Sequence, residues 1–205
     1  MKVLGRVVFT VVVAVLFVAM QMGTSSANLV TNGDFGTGDF TGWTVAQVSD
    51  PAYFGVFTTT SGGSGPAITP PPGFTYEAGF GGILGLDDTI SQSLSTIPGQ
   101  KYTVTFLLAH NWSDDASQPN HFQVDWNGQS LLNLSGTTSS FPWTEYSFNV
   151  VASGSSTTIS FAGYETPAWY ALDGVSVASV PDPQSVLLLI PSLFGLTVIR
   201  RRFKK

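Results

Sequence analysis

The chain has 205 residues, none of them cysteine, and a formal net charge of −5 at pH 7. The missing thiols exclude a disulfide framework, a zinc–thiolate site and a cysteine nucleophile. Of the 8 Lys and Arg residues only Lys101 lies outside the terminal segments, and so acidic a middle excludes nucleic-acid binding, in which Lys and Arg must displace phosphate counterions.

Residues 1–27 begin with Lys2 and Arg6, run through the apolar stretch Val7 to Met20 and end on the small residues Ser25, Ser26 and Ala27. Positive, apolar, then small is the order read by the export machinery and by signal peptidase, which needs small side chains at −3 and −1 of the cut. A signal helix cleaved between Ala27 and Asn28 is expected. The alternative is a retained anchor helix, for which the apolar run is short.

Residues 28–179 are rich in Thr, Ser, Gly, Val and Phe and poor in Lys, Glu and Ala, a composition that favours short strands joined by turns over amphipathic helices. The opening Asn28-Leu29-Val30-Thr31-Asn32-Gly33-Asp34-Phe35 with Gly42-Trp43 reads as a first strand, which Phe35 and Trp43 lock onto the core. Tyr53 to Phe57 is a second. Residues 58–75, with Pro70-Pro71-Pro72 among Gly, Ser and Thr, read as a long surface loop. Ile90, Gln92 and Leu94 then share one strand face, and Pro98-Gly99 makes the following turn. Tyr102, Val104, Phe106 and Leu108 alternate with Thr103, Thr105, Leu107 and Ala109, and the second face turns apolar towards its end, which predicts a central strand. Phe122, Val124 and Trp126 give another strand, and Asn127-Gly128 supplies the two positive-φ residues of a type I′ hairpin. Leu131 to Leu134, Tyr146 to Val150, Ile159 to Phe161 and Leu172 to Val177 complete the set. Eight or nine such strands imply an all-β, jelly-roll-like antiparallel β-sandwich, flanked by an N-terminal signal helix and a C-terminal transmembrane helix.

Three segments carry a resemblance: the opening Asn28 to Phe35 with Gly42-Trp43, the run Ile90-Ser91-Gln92-Ser93-Leu94 with Pro98-Gly99-Gln100-Lys101-Tyr102, and the closing Leu172-Asp173-Gly174-Val175-Ser176-Val177. Together they resemble the galactose-binding-like β-sandwiches, which include many carbohydrate-binding modules. The resemblance implies one structural calcium between the first and last strands, held by Asp173 and by a carboxylate after the opening motif. Gly36 stands at that second position, so Asp34 and Asp39 are the nearby replacements. The alternative is that Asp173 caps a turn.

Residues 180–205 hold Pro181-Asp182-Pro183, the apolar stretch 186–199, and Arg200-Arg201-Arg202 before the final lysines. At about 1.5 Å per residue the stretch reaches about 21 Å, a marginal transmembrane helix against a hydrocarbon core of roughly 30 Å. Basic residues directly after it stay cytoplasmic, which leaves the acidic domain outside. Pro-acid-Pro, a short apolar helix and a terminal arginine cluster, in that order, resemble the PEP-CTERM sorting signal of Gram-negative bacteria, with Asp182 where the family usually has Glu. The resemblance implies an inner-membrane-anchored precursor with a periplasmic domain, an exosortase that cuts near the triplet, and delivery to the cell envelope or to an exopolysaccharide matrix. A plain C-terminal anchor is the alternative.

Sugar binding calls for exposed aromatic rings, on which pyranose faces stack, beside amides and carboxylates that orient hydroxyls. Asn111, Trp112, Asp114 and Asp115 have that makeup at the end of an apolar strand, and Trp169 and Tyr170 sit just before the last one. Trp43, Trp126 and Trp143 occupy strand or motif positions suited to core packing. His110 and His121 with Asp114 or Asp125 could be drawn as an acid–base cluster, but no catalytic motif accompanies them, so no enzymatic activity is expected. Two functions remain: a polysaccharide-binding module, or a structural matrix protein acting through an acidic, hydrated surface. Trp112 and Trp169 exposed in a shared groove would mark the first, and burial of both the second.

Overall fold

The period-two segments pair into strands almost wherever alternation was read. A computed structural model describes residues 26–60, 67–82, 85–111 and 119–181. Among these residues it has β1 (Thr44–Ala46), β2 (Phe54–Phe57), β3 (Glu77–Phe80), β4 (Asp88–Ser95), β5 (Lys101–Asn111), β6 (His121–Trp126), β7 (Gln129–Ser135), β8 (Phe141–Val151), β9 (Ser156–Tyr164) and β10 (Trp169–Ser179). The strands form two five-stranded sheets, ordered β1-β4-β9-β6-β7 (sheet A) and β2-β3-β10-β5-β8 (sheet B). Every pairing is antiparallel. The domain is thus an all-β antiparallel two-sheet sandwich, with no helix among the described residues. The predicted signal and transmembrane helices lie outside the described residues, as do Asp182, Pro183 and Arg200 to Arg202.

Residues Asn28–Val180 make one compact unit. Its core lies between the sheets, where Tyr102, Val104, Phe106 and Leu108 of β5 are buried while Thr103, Thr105 and Leu107 face away half-buried. Aromatic rings join the layers: Phe106 meets Phe161 of β9 edge-on at 5.4 Å, and Phe80 of β3 meets Phe122 of β6 at 5.3 Å. Edge-to-face contacts of this kind add to the area that the rings bury. The Asn127-Gly128 turn has the expected pair of positive φ values, 52° and 77°, between β6 and β7. β5 lies inside sheet B, between β10 and β8.

Three features depart from the sequence expectation. The opening segment is not a strand. It is tied to β10 by two backbone bonds, Leu29 N–H to Val177 O and Val175 N–H to Gly33 O, because the turns at 32–38 break any longer ladder. β1 and β3 are short and lack alternation; Glu77, Ala78, Gly79 and Phe80 are all buried. The 58–75 segment does not simply cross the surface: Thr60 and Ile68 pair as an isolated bridge, and both are buried.

Candidate functional site

The outward face of sheet B is built around a row of small residues. Strand register places Gly55 opposite Gly79, Gly79 opposite Ala171, and Ala171 opposite Ala109. Paired residues in an antiparallel sheet point the same way, so the four make a shallow trough across β2, β3, β10 and β5. Thr60 and Ile68 of the 58–75 segment lie over it. Ile68 packs with Ala109, Trp169 and Ala171 as a second apolar cluster, flanked by Phe57 and Trp143. A Cβ at Gly79 would stand 2.7 Å from the Thr60 methyl, so a larger side chain there would push the segment off.

Beyond Ile68 the trough stays open as a cleft of about 410 Å³, lined by Ile68, Thr69, Ala109, Asn111, Phe141 and Trp143, among others. Trp143 is half-buried, and its indole N–H donates to the Thr69 carbonyl at 2.8 Å. That bond fixes the ring's direction and ties β8 to the 58–75 segment. Asn111 accepts the Trp169 N–H through Oδ1 at 2.9 Å. Asn111 is 1% exposed, so its amide shapes the cleft wall, and the oriented indole is the face that suits a sugar ring.

Beneath the cleft sits a buried acid–base pair. His110 Nδ1 lies 3.1 Å from the Ser139 carbonyl, and its Nε2 lies 3.1 Å from Glu165 Oε2. A carbonyl only accepts, so Nδ1 carries a hydrogen and Nε2 faces the carboxyl group. Burial raises the Glu165 pKa, and the bond to His110 partly offsets it. The imidazole also stacks on Tyr170 at 4.3 Å, and the Tyr170 hydroxyl donates to Asn120 Oδ1 at 2.8 Å. His121 pairs separately with Asp87, 2.9 Å from Nδ1, on the outer face of sheet A. Neither histidine pairs with Asp125, and Asp114 lies outside the described residues.

Two further acids are buried on the strands under the 58–75 segment. Glu77 Oε1 accepts the Thr60 N–H at 2.9 Å and the Thr60 hydroxyl at 2.8 Å, while Asp173 Oδ1 accepts the Gly174 N–H at 2.6 Å. The second oxygen of each, Oε2 and Oδ2, is buried without a hydrogen-bond partner. Burial pushes Glu77 up to about 7. It pushes Asp173 up to about 8, with smaller contributions from the charges of Asp34 and Glu77. The register places Asp173 one step beyond Leu172↔Ala78 and hence opposite Glu77.

The predicted site residues are therefore scattered. Asn111 lines the cleft, but Trp112, Asp114 and Asp115 lie outside the described residues. Trp169 and Tyr170 do not precede the last strand; they begin it, and they are 6% and 0% exposed. Each ring is enclosed, Tyr170 in the core and Trp169 against Phe57 and Gly81, so neither offers a face to a sugar. The expected calcium set also does not assemble. Asp34 is exposed, with Oδ1 on the Gly36 N–H, and exposed Asp39 accepts from Thr37 and Thr41 within its own turn. Among the described residues no group of three or more His, Asp or Glu side chains could hold a metal ion. Trp143, read as a core residue, lines the cleft instead. Its signal was in the sequence: Tyr146, Phe148 and Val150 share one parity, and Trp143 has the other.

Residues 81–178 match the model of a family described as "Protein of unknown function (DUF642)". No curated protein matches the chain in sequence. The solved structures similar to it include TmCBM61 in complex with β-1,4-galactotriose, at 18% identity and a TM-score of 0.52, covering 76% of this chain and 100% of that one. The CBM22-1 xylan-binding domain of Paenibacillus barcinonensis Xyn10C is 14% identical with a TM-score of 0.51, covering 77% and 97%. A Stig cyclase, Fisc, from Fischerella sp. TAU is 14% identical with a TM-score of 0.54, covering 77% and 99%. What is shared is the fold, an antiparallel two-sheet β-sandwich. Binding modules and cyclases both use it, so the fold leaves the choice of function to the site.

Proposed function

We propose that the domain is a non-catalytic carbohydrate-binding module that takes a polysaccharide chain in the cleft on sheet B. The observation that carries this reading is the half-buried Trp143 indole, held by Thr69 beside Asn111 in an open cleft. Such a ring presents a flat apolar face with its polar edge already engaged, as sugar stacking requires. Export through residues 1–27 and sorting through an exosortase acting at Pro181-Asp182-Pro183 would carry the module to the cell envelope or to an exopolysaccharide matrix. One structural calcium would sit on Asp173 and Glu77, whose two unpartnered buried oxygens supply negative charge, with backbone carbonyls completing the shell.

The test is affinity electrophoresis of residues 28–180 through gels containing β-1,4-galactan, xylan and other soluble polysaccharides. Retardation by one glycan class, lost in Trp143→Ala, is expected. A folded domain that migrates freely through every gel overturns the reading. The second function, a structural matrix component without a specific ligand, is favoured by the burial of Trp169, and that outcome would select it.

A further inference from the structure

The end of the sandwich where the chain leaves β10 differs chemically from the end that carries the cleft. Four segments meet there: 95–101, 126–130, 151–156 and 176–180. Val180 N–H donates to the Lys101 carbonyl at 2.9 Å, and Gln100 Nε2 donates to the Val180 carbonyl at 2.6 Å. The Gly99 N–H donates to the Ala152 carbonyl and the Ala152 N–H to the Gln100 carbonyl, and the Trp126 indole N–H donates to Val151 O. None of the four segments contains Asp or Glu, Asp125 bordering one of them opposite Ser130, and one contains Lys101, the only Lys or Arg between residues 28 and 180. Ile97 and Val151 are 66% and 53% exposed on this end. By contrast Asp50, Asp87 and Glu165 lie towards the opposite end, with the Asn111 end of β5 and the cleft.

We infer that this end is a membrane contact surface, on which Ile97 and Val151 enter the lipid headgroup region and Lys101 meets anionic phosphates. The occupant follows from where the chain goes next. Only residues 181–185 separate Val180 from the apolar stretch at 186, a reach of at most about 18 Å even when fully extended. A domain on so short a tether stays within reach of the bilayer that holds the stretch. Isolated apolar side chains and a single cation bind lipid weakly on their own, but a tether raises their effective concentration at the surface. The cleft is then presented away from the membrane, because β5 and β8 run the length of the sandwich between the two ends. The inference rests on reading 186–199 as a membrane segment, and it describes the chain before any cut at Pro181-Asp182-Pro183.

The chain has no cysteine, so single labels can be placed without background. Residues 28–205 in anionic phospholipid nanodiscs would carry a fluorophore on Ile97→Cys, Val151→Cys, Pro142→Cys or Leu196→Cys, with nitroxide lipids as quenchers. Headgroup nitroxides should remove most of the emission at Ile97 and Val151 and leave Pro142, on the cleft rim, unchanged, while acyl-chain nitroxides quench Leu196. In Lys101→Glu the quenching at Val151 should fall. A quenched Leu196 with unquenched Ile97 and Val151 overturns the contact surface alone. An unquenched Leu196 overturns the membrane reading of the tail, and the contact surface with it.

Discussion

Asn28 grips Val177 across 149 residues of sequence, its Oδ1 accepting the Val177 N–H at 2.9 Å. The same oxygen accepts the Val30 N–H at 3.0 Å, and Nδ2 donates to the Val175 carbonyl at 3.3 Å. One side chain thus replaces the ladder that the opening segment does not form. Asn28→Ala should lower the stability of residues 28–180 by about 3 kcal/mol, since three hydrogen bonds are lost and each contributes about 1 kcal/mol. Urea unfolding checks this, and an unchanged midpoint would refute it.

The two tryptophans on the outer face of sheet B should behave oppositely. Trp169→Ala removes an enclosed ring and should cost about 3–5 kcal/mol. Trp143→Ala loses one hydrogen bond and partial packing and should cost about 1 kcal/mol, yet abolish retention on the glycan gel. Equal destabilisation in paired urea titrations would mean that Trp143 serves packing alone.

Thr60 holds Glu77 through two donors, so Thr60→Val leaves a buried carboxyl oxygen with only the backbone N–H. The expected loss is about 1–3 kcal/mol. It should be accompanied by faster amide exchange at Ile68, whose N–H donates to the Thr60 carbonyl at 2.8 Å. Unaltered exchange at Ile68 would show that the segment is held elsewhere.

Glu165 gives the domain a pH dependence with a definite sign. Its folded pKa is raised by burial, so its contribution is fully present below the ordinary carboxylate range and is lost as pH rises through the raised value. Glu165→Gln keeps a donor towards His110 Nε2 without a titrating proton and should flatten that decline. Chemical unfolding from pH 4 upward compares the two proteins; parallel curves would remove Glu165 from the account.

If Asp173 and Glu77 hold calcium, added calcium should raise the melting temperature of the wild type relative to chelator, by mass action on the folded state. Asp173→Asn should abolish the increment, and Asp39→Asn, altered only in its own exposed turn, should retain it. An increment that survives Asp173→Asn places the ion elsewhere.

The strands that bury one face were legible because alternation reports burial directly, as in Tyr102 to Leu108 and Phe122 to Trp126. β3 was not, because Glu77 and Gly79 face sheet B's outer side and are buried there by the 58–75 segment, so both faces are covered and the pattern vanishes. The cleft was hidden for a related reason. Gly55, Gly79, Ala171 and Ala109 come from four strands, and their alignment exists only in the register. Asn111 stands in a stretch whose composition marks it, whereas Trp143 is distinguished from a core residue only by its parity, opposite to that of Tyr146, Phe148 and Val150. Glu165 and His110 meet through a contact spanning 55 residues, and nothing local announces it.

β10 is the middle strand of sheet B and the last of the ten to be synthesised. Until residue 179 has emerged from the ribosome, β3 and β5 have no partner between them, the opening segment has nothing to clasp, and Tyr170 and Leu172 are missing from the core. Sheet A contains no part of β10, whereas sheet B stays divided into a β2–β3 pair and a β5–β8 pair until that strand arrives. The two halves of the outer trough, on β2–β3 and on β5, therefore become one surface only when Ala171 of β10 is placed between them.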